Sequence, residues 1–326
     1  MRLLFIDHEC HKKTQSAAFF IEVIRRWFSV DEHYYAKYYR TTAKDAISGY
    51  DGAIIWEFPI ARNMFYFPGK VNIFVPMYDN EWASFWQWKR IVWSGIGVIS
   101  FCDKVSAHAR RCGVKNILDV RYFPDPAAFP QVHGDHKRVF LWERGEIGKE
   151  IAEQLFPLSD GYMFDIKGAE EFLDRCEYLD RVSKCGIVIA PRHKEGIGMA
   201  FLEAMAMGKC VVANDDATMN EYIADGETGV LFKPDNLRPI SSEVVSRVIS
   251  NIGGSVKRLR ARWLADVEKI NGFIADQKPC KPSFFNRLRI ALSYPLFIFE
   301  GAWHRLAEHS SAIRTKRLAD RAGGCG

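Results

Sequence analysis

Glu195 and Glu203 stand eight positions apart in the stretch RHKEGIGMAFLEAMAMGK, residues 192–209. The first precedes a Gly-Ile-Gly turn, and the second lies in a run of Ala, Met and Leu, all strong helix formers. Gly196 and Gly198 let the backbone approach a ligand with no side chain in the way. Amides of Gly196, Ile197, Gly198 and Met199 would then point out of a helix start, an arrangement that suits a phosphate. Glu195, on the loop, can accept hydrogen bonds from sugar hydroxyls or stabilise positive charge at a reacting carbon. Glu203, one turn into the helix, can take the two hydroxyls of a ribose. Two carboxylates beside a phosphate repel it, so the site demands cations from elsewhere. Arg192, His193 and Lys194 add positive charge on the loop, as donors to such a site or as a solvated turn. The plainer alternative is an ordinary strand-to-helix turn bearing two surface acids.

These residues need a strand behind them and a helix ahead. IVIAP (187–191) supplies the strand, Gly208 ends the helix, and CVVAND (210–215) follows as another strand. The glycines therefore fall at the carboxyl edge of a parallel sheet, where open α/β folds bind ligands. The same alternation fills the chain. Strands are expected over RLLFIDHE (2–9), DGAIIWEF (51–58), VNIFVPMYD (71–79), GIGVISFCD (95–103) and NILDVRYFP (116–124). Helices are expected over 14–28, capped by Thr14 or Ser16, and over 104–113, closed by Gly113.

Residues 123–137, FPDPAAFPQVHGDHK, hold three prolines and a glycine and read as a connection between domains. The pattern restarts with a strand RVFLWERG (138–145), a helix GKEIAEQLF (148–156), a strand GYMFDIKG (161–168) and a helix over 170–186. After the opening motif come NEYIADGETGVLF (220–232) and a helix over 241–253. Residues 255–276 form a basic amphipathic helix, and 284–309 combine arginines with dense apolar runs. Those runs are broken by Pro295 and Glu300 and are too short to span a bilayer, which takes about 20 residues. They suit a helix packed back on the body or one docked at a membrane surface. The expected organisation is an N-terminal α/β unit 1–130, a C-terminal α/β unit 131–254 and a helical extension 255–326, its tail 310–326 frayed.

With 326 residues, 48% of them hydrophobic, the chain has room for two packed domains. A net charge of +5 permits anionic partners but is too mild to argue for nucleic acid. Eight cysteines contain no Cys-x2-Cys pair, which speaks against zinc. The opening MRLLFIDHEC reads as a buried strand, not a signal peptide, which implies reduced thiols and a cytoplasmic location. Trp82, Phe85, Trp86 and Trp93, mixed with Lys89 and Arg90, suit an aromatic core segment, an acceptor groove or a membrane-facing patch.

Residues 195–236, EGIGMAFLEAMAMGKCVVANDDATMNEYIADGETGVLFKPDN, resemble the donor-site signature of retaining glycosyltransferases of the GT-B fold, family 4 type. That signature is a Glu-x7-Glu element, an Ala-Met-rich helix ending in Gly, a short strand, a helix start bearing Glu, and Asp-Gly-x-x-Gly-x-Leu. The resemblance implies two Rossmann-like domains facing a central cleft. It further implies a metal-independent hexosyltransferase with no cofactor, whose co-substrate is a nucleotide-diphosphate sugar held by the C-terminal domain. The acceptor would be a glycan or lipid-linked glycan of cell-surface polysaccharide synthesis, met at the inner face of the cytoplasmic membrane. Carried over by position, Glu203 holds the ribose and Glu195 the donor sugar, while amides of Ile197, Gly198 and Met199 face the phosphates. Arg144 and Lys149 match the family's Arg and Lys that neutralise the departing diphosphate. On the acceptor side the family's Gly-Gly pair is missing, leaving His8, His11 and Thr14. Tyr78 and Asp79 stand where a His is frequent. The same fold also hosts nucleotide-sugar epimerases, phosphorylases and catalytically degenerate scaffolds.

Overall fold

The computed structural model describes residues 1–35, 46–57, 66–79, 84–132, 134–168, 174–300 and 303. Trp82 and the tail 310–326 lie outside the described residues.

Apolar runs bounded by polar turns build the first sheet. Strand β1 (Arg2–His8) buries Leu3, Leu4, Phe5 and Ile6 in succession, as a strand covered on both faces must. It lies in a parallel six-stranded sheet with β2 (Ser29–Tyr35), β3 (Gly52–Trp56), β4 (Val71–Val75), β5 (Gly97–Ser100) and β6 (Ile117–Asp119). The order is β2-β1-β3-β4-β5-β6. Strands β7 (Asp135–Glu143), β8 (Met163–Gly168), β9 (Cys185–Ile189), β10 (Cys210–Asn214) and β11 (Val230–Phe232) form a second parallel sheet in the order β11-β10-β9-β7-β8. The two α/β units are thus as expected, and the proline-rich segment links them.

Strand β2 has no counterpart in the reading of the sequence. Its SVDEHYY is polar and only partly buried because it sits at the sheet edge. The helix expected over 14–28 is instead two, α1 (Glu9–Thr14) and α2 (Ala18–Ile24), divided by Gln15 in the left-handed region at φ 56°. Thr14 does not cap α2; its hydroxyl donates to the Cys10 carbonyl, and the cap residue Ala17 makes no side-chain bond. The aromatic segment forms helix α3 (Phe85–Ser94), and α4 (Asp103–Arg111) follows β5.

In the second unit, α5 (Lys149–Leu155), α6 (Arg175–Lys184) and α7 (Met199–Ala206) cover the sheet. The two helices expected over 241–253 and 255–276 are one, α8 (Ser242–Ala275), continuous through Gly253 and Gly254, so the anticipated boundary at 254/255 falls inside it. Its buried positions Val245, Val248, Ile252, Val256, Trp263, Val267, Ile270 and Ile274 recur mostly every three or four residues and make a single core-facing stripe. At about 50 Å this stripe starts on the second unit and ends on the first. There Trp263 packs edge-on against Tyr122 (5.2 Å) and Phe19 (5.9 Å). Helix α9 (Phe284–Leu292) then packs on α3.

A buried arginine of the first unit pins the seam through Glu221 of the second. The Arg121 guanidinium, 1% exposed, reaches Asp103 at 2.5 Å and Glu221 at 2.6 Å. Its backbone N–H donates to Asp266 of α8 at 2.9 Å.

Candidate functional site

The carboxyl edges of the two sheets meet at the loop before α7. Gly198 caps that helix at φ 79°, and a Cβ there would lie 1.9 Å from the Phe201 ring. Only glycine fits the turn. A Cβ on Gly196 would lie 2.6 Å from Asp79 Oδ1, so this backbone is pressed against the loop that follows β4. The Gly196 N–H donates to the Asp79 carboxylate. Ile197 is buried in the core and holds the loop down, while Met199 is half-buried at the helix start.

Glu195 is 9% exposed and Glu203 is 3% exposed. Burial pushes the Glu195 carboxyl up to about 7, against the pull of Arg192 and Arg144, with Asp79 and Glu146 adding to the rise. Burial also raises Glu203, opposed by Arg175, whose Nη2 donates to Oε1 at 2.8 Å. Arg175 itself is 61% exposed, so this pair is open to water on one side.

Arg144 stacks over the Trp142 ring at 4.9 Å and lies within electrostatic reach of Glu195, Glu146, Asp79 and Arg192. Arg192 donates to Asp79 Oδ2 at 3.0 Å and comes within 3.9 Å of Glu146. Glu146 also accepts from the His193 N–H at 2.9 Å. The cluster therefore takes Arg192 from the loop as its second cation. Lys149 stands apart, exposed on α5 and 3.4 Å from Glu153 one turn along.

Across the seam, His11 is clamped between two carboxylates. Its Nδ1 is 2.7 Å from Asp7 and its Nε2 is 2.8 Å from Glu57. Burial alone would lower its pKa, but the hydrogen bonds to both acids outweigh that and hold it at about 10. Glu57 sits in the left-handed region at φ 62°, a strained conformation for a side chain of this size. Its charge also raises Asp79, after the larger effect of burial. His8 turns away from this group: its Nδ1 accepts from the Cys10 N–H at 3.3 Å, and its ring meets Tyr35 edge-on. Tyr78 is buried in the seam, where its hydroxyl donates to Asp216 at 2.8 Å and accepts from Lys104 at 2.6 Å.

The outcome is a row of charges crossing from one unit to the other: Asp7, His11, Glu57, Asp79, Arg192, Glu195, Arg144. Asp7, Glu57, Glu146 and Arg175 were missed by motif reading. The first three lie at or just beyond the carboxyl ends of β1, β3 and β7, the edge at which open α/β sheets hold ligands. Among the described residues, no group of three or more His, Cys, Asp or Glu is arranged to hold a metal ion. Chemically the site offers two guanidiniums and a helix start to an anion, beside a carboxyl that is half-protonated near neutrality.

Two parallel α/β units meeting carboxyl edge to carboxyl edge, with a helical C-terminal region, define a GT-B fold. Residues 171–251 match the family described as "Glycosyl transferases group 1". Anabaena Alr3699/HepE, crystallised in complex with UDP and glucose, superposes with a TM-score of 0.54 at 13% identity, covering 85% of this chain and 98% of its own. In sequence, the N,N'-diacetylbacillosaminyl-diphospho-undecaprenol alpha-1,3-N-acetylgalactosaminyltransferase of Campylobacter jejuni is 28% identical over 122 residues, 32% of each chain. Glycogen synthase of Mycobacterium tuberculosis is 26% identical over 138 residues, 41% of this chain and 32% of its own. The chain thus matches about a third of the length of these curated relatives.

Proposed function

We propose that this protein is a retaining glycosyltransferase. It would move a hexose from a nucleoside diphosphate sugar to a glycan or lipid-linked glycan at a membrane face. The observation that carries the reading is Arg192, Glu195 and Gly196, all within the stretch that matches the glycosyltransferase family, lying at the seam with Arg144. The Anabaena neighbour's UDP and glucose make UDP-glucose the first donor to try.

In this scheme Glu203 takes the ribose, displacing or sharing Arg175. The amides from Ile197 to Met199, with Arg144 and Arg192, meet the diphosphate. Glu195 faces the transferred sugar. The acceptor hydroxyl attacks the anomeric carbon from the side on which the diphosphate leaves. As the glycosidic C–O bond to phosphate breaks, the departing phosphate oxygen takes the hydroxyl proton, so the anomeric configuration is kept. The protein's part is positioning and stabilisation of charge on the leaving group by fixed cations and amides. On the acceptor side Asp79, Glu57 and His11 offer hydrogen-bonding partners for sugar hydroxyls. Lys149 is left to a secondary role at the diphosphate, reached by swinging its exposed side chain.

A panel of UDP- and GDP-sugars with short glycan and glycan-lipid acceptors tests the reading. Product with the donor's anomeric configuration supports it; inversion rules out the mechanism, and conversion of the donor without acceptor points to an epimerase. The Arg175–Glu203 pair favours one rival, a nucleotide-sugar-binding scaffold, whose mark is donor binding without turnover on any acceptor.

A further inference from the structure

Helix α9 has two apolar faces, and the larger one is in water. Ile290 points into the body and is 8% exposed, whereas Phe284, Phe285, Leu288 and Leu292 are 75%, 70%, 46% and 68% exposed. At about 100° per residue those four fall within one arc about 100° wide, opposite Ile290. Arg287 and Arg289 lie on its two edges, both exposed. The helical residues 294–300 repeat the plan, with Phe297 buried, Phe299 69% exposed and, just beyond, Trp303 63% exposed.

The inner side of this segment is fully engaged, so its outer side has no route into the core. The Tyr294 and Phe297 rings cover the buried Arg90 guanidinium at 5.4 and 5.3 Å. The Glu300 carboxylate caps α3, accepting from the Phe85 N–H at 2.8 Å, the Trp86 N–H at 3.0 Å and the Ser84 hydroxyl at 2.6 Å. Helix α3 begins shortly after Asp79, so the apolar strip is tied to the end of α3 nearest the cleft.

Contiguous exposed aromatics on one face of a basic helix fit a bilayer interface, where rings and aliphatic chains enter the headgroup boundary and arginines meet anionic lipid. Charge selects this occupant over a second copy of the chain. Residues 276–300 carry Lys278, Lys281, Arg287 and Arg289 against Asp276 and Glu300, the last of these turned onto α3, and the sequence that follows adds four arginines and a lysine against Glu308 and Asp320. Two such faces repel one another in a symmetric dimer. We propose that the outer face of α9 and the turns after it docks this protein on an anionic lipid bilayer, holding the acceptor side of the cleft at the membrane surface. This deepens the proposed function and depends on it only for the lipid-linked acceptor.

The test uses the full chain in co-sedimentation with vesicles of phosphatidylcholine, alone or mixed with phosphatidylglycerol. Binding is expected to the mixed vesicles and to weaken with salt. Arg287→Gln with Arg289→Gln lowers it about 30-fold, and Phe284→Ser with Phe285→Ser and Leu292→Ser lowers it at least tenfold. Both variants keep wild-type affinity for UDP-glucose, which separates lost docking from lost folding. Vesicle binding is read without nucleotide, so its outcome does not depend on the donor assignment. Absence of wild-type binding, or equal binding by the variants, overturns the proposal. So does a wild-type dimer in sedimentation velocity that the serine variant renders monomeric.

Discussion

Arg192 Nη1 and Asp79 Oδ2 lie 3.0 Å apart, joining the loop after β9 to the loop after β4. The same Asp79 carboxylate accepts the Gly196 N–H and packs against that glycine, so this residue couples the domain seam to the candidate donor site. Both side chains are partly exposed, at 32% and 21%, so the contact contributes at most about 1 kcal/mol to stability. Its larger role is to aim a guanidinium. Arg192→Ala is expected to lower kcat/KM by about 10- to 100-fold with little change in Tm, measured by initial rates and thermal melts on one preparation.

Glu195 sets a pH dependence of stability. Its carboxyl titrates at about 7 in the fold against an ordinary value of 4.5. Between those limits the unfolded chain has lost the proton and the folded one keeps it, so stability falls as pH rises from 4.5 to 7. The loss attributable to this group is about 3 kcal/mol. Urea melts across that window should show the slope in wild type and lose it in Glu195→Gln.

His11 works at the other end of the pH range. Its pKa is raised from 6.5 to about 10 by Asp7 and Glu57, so its stabilisation is complete below 6.5 and is lost as pH rises toward 10. Tm should therefore decline over that window, and His11→Asn should flatten the decline while lowering Tm at neutral pH. A wild-type Tm unchanged over that window would mean the clamp is absent in solution.

The long helix is what binds the two units. Trp263 is 3% exposed and meets Phe19, Phe101 and Tyr122, so Trp263→Ala removes an aromatic anchor from the seam. A loss of about 3–5 kcal/mol is expected, read from denaturant unfolding. The unfolding should also divide into two transitions as the units lose their shared core.

The strands and the donor-side loop were legible because buried parallel strands are apolar throughout and because Gly198 is the only residue type its turn accepts. Strand β2 was not, since SVDEHYY carries neither a long apolar run nor strict alternation at its edge position. Nor was the join of two helices at Gly253 and Gly254, where packing of the flanking stripe overrides the glycines' poor helix propensity. Within the site, local motifs reported Glu195, Glu203 and Arg144. They missed Asp7, Glu57 and Arg175, whose positions depend on which strand ends and helix starts the topology brings together. Tyr78 shows the converse: it follows β4 as expected, yet Asp216 and Lys104 take its hydroxyl into the seam.

The most direct measurement is calorimetric titration of UDP-glucose into the wild type, Glu203→Ala and Arg144→Ala. Loss of a charged hydrogen-bond partner at the ribose or the diphosphate should weaken binding by about 10- to 100-fold in each variant, with wild-type Tm retained to within a few degrees. Binding by both variants at wild-type affinity would contradict the placement of the nucleotide sugar against α7.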